Sequence, residues 1–186
     1  MGTRNGGPRD ESPRSDARWS EVTIRAIRPD DKERILKAFR ALEPGSVYLR
    51  FFFHKKEVSG KELQRLTEPD GVRHVVLVAT TGSGDQETII GLGEYARHGP
   101  GAEIAFVVEE DYRGRGIATR LLQQLARIGR ENAIPRFEAD VLEENAPMLS
   151  VLRDSGLPVR ESLSDGIVHV TLLLHDEPRV TREGPA

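Results

Sequence analysis

Residues 113–118 read Arg113-Gly114-Arg115-Gly116-Ile117-Ala118, between an apolar run from Ala102 to Val108 and a long amphipathic stretch predicted as a helix from about Gly114 to Asn132. A strand that turns through glycines into a helix begins a β–α–β unit. It also makes a phosphate cradle. Glycines let the backbone come close to a ligand, and the first helical N–H groups have no partner within the helix. The turn therefore points to a phosphorylated cofactor. It is not a nucleotide P-loop, because no Gly-Lys-Ser/Thr follows, and its glycine spacing is not that of a dinucleotide fingerprint.

Strand and helix patterns alternate around this turn. Val22 to Ile27 alternates like a half-buried strand. Asp30 or Asp31 is placed to cap a helix with Ile35, Leu36, Phe39 and Leu42 at helical spacing. Pro44 starts a second helical piece through Val47, Tyr48, Leu49, Phe51 and Phe52, and Ser59 caps a third with Leu63 and Leu66 inward. Strands follow over Val72–Thr80, Thr88–Tyr95 and Ala102–Val108, the first two joined by the Thr81-Gly82-Ser83-Gly84-Asp85 loop. After the long helix come a strand over Phe137–Leu142, a helix over Pro147–Asp154, and a hairpin of Val159–Leu163 with Ile167–Leu174 turning at Ser164-Asp165-Gly166. The order predicts an α/β (α+β) fold: a mixed, twisted sheet of about six or seven strands with helices on both faces. Ligands in such sheets bind at the carboxyl ends of strands.

Residues 1–20 are rich in Gly, Pro, Ser, Arg and Asp and are expected to be a disordered tail, with Trp19 docking at its end. The folded domain is expected over 21–175, and 176–186 as a flexible C-terminal tail. The net charge of -3 gives no broad footprint for nucleic acid. The absence of cysteine excludes disulfides, thiolate metal sites and a cysteine-bound intermediate, and fits a reducing cytoplasm. No apolar run approaches the roughly 20 residues that span a bilayer, and no secretory leader is visible. His54, His74, His98, His169 and His175 are scattered without metal spacing, so surface or capping roles are expected and no metal site.

Arg113, Gly116 and Ala118 satisfy the pyrophosphate-loop pattern of the GNAT acetyltransferases, which the turn resembles. Its context matches too: an apolar strand, the acidic Glu109-Glu110-Asp111 (read as a solvated loop), Tyr112, the loop, then Asn145 and Met148-Leu149 ahead of Gly156. The likeness covers about Val22 to Leu174. Ser46-Val47-Tyr48-Leu49-Arg50-Phe51-Phe52, followed by Glu62-Leu63 and Leu66-Thr67, resembles the start of the GNAT domain in bacterial protein lysine acetyltransferases. Some of those carry an acyl-CoA-synthetase-like or cyclic-nucleotide-binding domain; neither is visible here, so no regulation by one is expected.

The resemblance implies acetyl-CoA in a gap between the fourth and fifth strands. Val107 and Val108 would bind the pantetheine arm, with their neighbouring amides polarising the thioester carbonyl. Gly114, Arg115, Gly116, Ile117, Ala118 and Thr119 would hold the pyrophosphate with Arg113. Asn145 would touch the arm, cap a helix, or both. Attack by a lysine amine needs a proton acceptor, since its pKa lies near 10.4. Glu103 is the candidate base and Glu94 its rival. Many members place a tyrosine seven residues after the asparagine; here that position is Leu152, and the protein-acetylating relatives tend to lack the tyrosine as well. The Phe51-Phe52-Phe53 cluster is expected in the core, with Tyr48 and Arg50 as alternatives at the acceptor entrance. The resemblance thus implies N-acetylation of a protein lysine, acyl-CoA synthetases being one acceptor class. A small-molecule amine acetyltransferase and a non-catalytic acyl-CoA sensor are the alternatives. No nucleic-acid or membrane partner is expected, and the oligomeric state is open.

Overall fold

The structure, a computed structural model, describes residues 22–42 and 58–175. The expected tails, Trp19, the helical piece after Pro44, Tyr48, Arg50, the phenylalanine cluster and His54 lie outside those residues.

β2 (His74–Thr81) reads almost continuously apolar because it is buried on both faces. Val75, Leu77 and Ala79 join one hydrophobic cluster, and Val76 and Val78 join the other. Around it a seven-stranded sheet runs in the order β1-β2-β3-β4-β5-β7-β6. The remaining strands are β1 (Thr23–Ala26), β3 (Thr88–His98), β4 (Gly101–Val108), β5 (Arg136–Leu142), β6 (Val159–Ser164) and β7 (Ile167–Leu173). All neighbours are antiparallel except β4 and β5, which are parallel and joined through a helix.

α1 (Lys32–Ala41) and α2 (Gly60–Thr67) lie on one face, where Ile35, Ala38, Leu63 and Leu66 pack on Ile27, Val76, Val78, Ile89 and Leu92. α3 (Ile117–Glu131) and α4 (Ala146–Arg153) lie on the other. Leu121, Leu122 and Leu125 of α3 are fully buried there, each worth roughly 1.5–3 kcal/mol on removal from water. Gly93 lets α3 and the Phe106 ring of β4 come close, since a Cβ there would sit 3.3 Å from Leu121 Cβ and 2.9 Å from that ring. Tyr95 stacks at a tilt on Phe137 with ring centroids 5.5 Å apart.

Element ends depart from the sequence reading for local reasons. β2 starts at His74 rather than Val72, because Asp70 accepts hydrogen bonds from the N–H groups of Val72, Arg73 and His74 and holds them in a turn. The long helix begins at Ile117 rather than Gly114, because Gly114 and Gly116 adopt φ of 68° and 72°, which no right-handed helix contains. Asp31 occupies the N-cap of α1 but makes no capping bond; its carboxylate takes Arg25 and the Arg28 N–H instead. Ser59 caps α2 reciprocally with Glu62. The β6–β7 hairpin turns on Asp165 and Gly166, both at positive φ, as its Asp-Gly sequence requires. No helix among the described residues is long and apolar enough to cross a membrane.

Candidate active site

β4 and β5 stay paired only at Ala102–Phe137 and Glu103–Glu138, and then separate. The β5-facing edge of β4 from Ile104 onward therefore has no strand partner. Backbone polar groups left this way seek water or a ligand. The separation opens a cleft of about 570 Å³, lined by β4 from Glu103 to Val108, by the glycine turn, by β5 around Asp140, and by the start of α4.

One end of the cleft is built for an anion. β4 ends in a tight turn at Glu110–Tyr112, and the chain then passes through Gly114 and Gly116 into α3. A Cβ built at either glycine meets nothing within 4 Å, so both backbones are open to a ligand. Among the four described helices, α3 alone has neither a side-chain cap nor an acidic residue in its first turn. The N–H groups of Ile117, Ala118 and Thr119 are the orphan donors of that turn, the first intrahelical bond being Arg120 N–H to the Gly116 carbonyl at 3.0 Å. Arg113 lines the cleft and donates to the Val108 carbonyl at 3.3 Å and to Glu110 at 3.2 Å. Arg115 does not line the cleft; its guanidinium lies 5.1 Å from the centre of the Tyr112 ring.

Asn145 faces the cleft and caps α4 through its side-chain oxygen, which accepts from Met148 N–H at 3.3 Å. Its side-chain NH₂ is the part left to reach a ligand. Leu152 is fully buried along the cleft wall.

The two candidate carboxylates separate cleanly. Glu103 is exposed and lines the cleft at the point where the strands part. Glu94 is 5% exposed, bonds His74 at 2.8 Å and Arg65 at 3.2 Å, and lines a separate apolar cavity of about 90 Å³ under α1 and α2. Glu94 is a neutralised core carboxylate. Glu109, read from sequence as part of a solvated loop, is half-buried, and its N–H still pairs with the Ile90 carbonyl at 3.0 Å. Burial first, then Asp111 and Glu110, push its carboxyl above the usual range. Of the histidines, His74 and His169 pair with carboxylates, and among the described residues no group of side chains could hold a metal ion.

The cleft thus gathers Glu103, Val107, Val108, Arg113, Gly114, Gly116, Ile117, Ala118, Thr119 and Asn145, leaving only Arg115 of the sequence-derived set outside. Sequence reasoning missed the β5 wall, above all Asp140. The signal was available: Phe137, Ala139 and Val141 point into the core, so Glu138 and Asp140 must share the opposite face with Glu103.

The family model described as the acetyltransferase (GNAT) family matches residues 36–157. The chain is 33% identical over 144 residues to Acetyltransferase Pat of Mycolicibacterium smegmatis, covering 75% of this chain and 42% of that protein. It is 29% identical over 114 residues to an acetyltransferase of Pseudomonas aeruginosa, covering 60% of this chain and 61% of that protein. It therefore spans about half the length of the curated relatives it matches. The crystal structure of the GNAT domain of S. lividans PAT superposes with a TM-score of 0.75 at 34% identity, over 82% of this chain and 90% of that one. The structure of yncA from Salmonella typhimurium, solved with its cofactor acetyl-CoA, superposes with a TM-score of 0.67 at 17% identity, over 84% and 96%, a likeness of fold.

Proposed function

This chain belongs to the acetyltransferase (GNAT) family, and from that premise we propose that it moves an acetyl group from acetyl-CoA to the side-chain amine of a protein lysine by direct attack. One observation carries the reading: a single cleft has an uncapped, acid-free helix N-terminus at one end and an exposed carboxylate, Glu103, where its strands part.

The residues present fit acetyl-CoA. The N–H groups from Gly114 to Thr119 hold the pyrophosphate, with Arg113 and Arg115 adding positive charge nearby. The open edge of β4 at Val107 and Val108 takes the pantetheine arm as a further strand would, and the Asn145 NH₂ donates to the same arm. Amides near Val108 polarise the carbonyl as oxyanion donors do. When bound, acetyl-CoA supplies an activated thioester carbon and a thiolate leaving group; a free cysteine thiol ionises near pKa 8.5.

Glu103 supplies what the acceptor lacks. A lysine amine at pH 7 must lose a proton at a cost of roughly 4–5 kcal/mol, at about 1.36 per unit. The Glu103 carboxylate takes that proton, directly or through water, as the new N–C bond forms and the C–S bond breaks. Leu152 can donate no proton, so the sulfur departs as thiolate. Holding both reactants in one cleft supplies much of the rate. The acceptor choice is supported by the Ser46–Phe52 resemblance and by identity to the S. lividans PAT domain and to Pat.

Thiol release from acetyl-CoA, measured across protein and small-amine acceptors, tests the reading. Acceptor-dependent release with a lysine-bearing protein such as an acyl-CoA synthetase is expected. Transfer to small amines alone would move the acceptor class, and tight CoA binding with no release on any acceptor would make this a sensor.

A further inference from the structure

Asp140 is an odd residue for its place. Aspartate is depleted in strands, yet this one sits near the centre of β5 and is exposed. It lines the cleft from the β5 wall, on the same sheet face as Glu103 on the β4 wall. Its cross-strand neighbour on β7 is His169, whose Nδ1 lies 2.6 Å from the Asp140 Oδ1. A carboxylate oxygen only accepts, so the ring proton is on Nδ1. The pair is exposed, with side chains 47% and 56% accessible, and a pair of that kind adds little to stability. The nearest carboxylate on the same strand face, Glu138, is held by Arg136 at 2.7 Å. Unlike Glu138, Asp140 lines the cleft, and its second oxygen, Oδ2, takes no bond among the described residues.

The proposed reaction needs such a group. A lysine arrives as an ammonium and must be placed before Glu103 can take its proton. An ammonium carries three donors and no acceptor, so a single carboxylate cannot fix its direction. A second carboxylate across the cleft can, through charge-assisted bonds that are stronger than neutral ones.

We infer that Asp140, oriented by His169, binds the acceptor ammonium from the β5 wall and presents it to Glu103, with His169 as the positioning residue. This rests on the acyl-transfer reading above and adds the acceptor subsite to it.

Steady-state kinetics with separate variation of acceptor and acetyl-CoA test the assignment, for wild type, Asp140→Asn, Asp140→Glu and His169→Gln. The acceptor KM should rise about 10- to 100-fold in Asp140→Asn, the range carried by a hydrogen bond to a charged group. Its kcat and its KM for acetyl-CoA should stay within about threefold. Asp140→Glu should recover part of the loss, and His169→Gln should fall between it and wild type. An unchanged acceptor KM in Asp140→Asn, with wild type active, overturns the inference. So does a loss in which both KM values and the thermal midpoint move together, since that is a structural effect. Wild type active only on small amines retires the lysine reading, and the same KM comparison on those amines still decides Asp140. Wild type that binds CoA but transfers to no acceptor retires both.

Discussion

Glu94 and Glu103 lie on adjacent strands of one sheet and on the same face, yet they live in opposite surroundings. Over β1–β3, strands stay paired and α1 and α2 cover them. A carboxylate there must be neutralised. Glu94 is held by His74 and Arg65, and the fully buried Asp31 takes both ends of the Arg25 guanidinium at 2.7 and 2.8 Å plus the Arg28 N–H. Between β4 and β5 the pairing stops, and Glu103 and Asp140 stand exposed on the walls of a cleft. Strand pairing sorts chemically identical groups into those that hold the fold and those that meet a ligand. A buried charge without its partner is costly, whereas an exposed one is free to act.

Substitutions on the two halves should therefore fail in different assays. Glu103→Gln should lower kcat by about 10²–10⁴-fold, the usual worth of a positioned base. Its thermal midpoint should hardly move, because exposed substitutions stay within about 0.5 kcal/mol. A lost midpoint together with lost turnover would erase the contrast. Asp31→Ala should do the reverse. It should cost about 3 kcal/mol, the low end for a broken buried pair because Glu87 still holds Arg25 at 2.8 Å. Urea unfolding would show it, and turnover per folded molecule should be unchanged.

The alternation of elements and the Asp-Gly hairpin were legible in the sequence because they depend on neighbours a few residues apart. So was most of the cleft, because the glycine turn and Asn145 announce themselves locally. Three things were not. The helix start slipped from Gly114 to Ile117, since the helical periodicity says nothing of the φ each glycine adopts. Glu94 and Glu103 look alike as text, and only β2, α2 and the gap beside β4 tell them apart. The alternation of β5 could place Asp140 on the face of Glu103, but the His169 partner that orients it lies 29 residues away on β7 and is not written in the local sequence.

Helix termini extend the same contrast at smaller scale. Gly116→Ala forces an L-residue into the left-handed region at about 1–2 kcal/mol and narrows the cradle. CoA affinity by calorimetry should fall about tenfold, a change worth about 1.4 kcal/mol. Ser59→Ala at the closed start of α2 should cost about 1 kcal/mol in stability and leave CoA affinity untouched. Equal effects of both on affinity would mean that the open end of α3 is not special.

Glu109 supplies the smallest and most discriminating case, because it sits where the covered half meets the cleft. Burial lowers the stability of its charged form, so its folded pKa lies above the ordinary 4.5. Any stability it contributes is present below pH 4.5 and is lost as pH rises through the folded value. Asp31 has the opposite sign. Burial opposes its ionisation, but Arg25 and the Arg28 N–H prevail and hold it below 3.8, so its contribution is present above pH 3.8 and is lost as pH falls through the folded value. Glu109→Gln should therefore stabilise by up to about 0.5 kcal/mol at pH 7 and give no gain at pH 4. Urea unfolding at the two pH values reads this directly. A gain of equal size at both would mean that the effect is packing rather than charge, and that Glu109 belongs with the exposed carboxylates of the cleft.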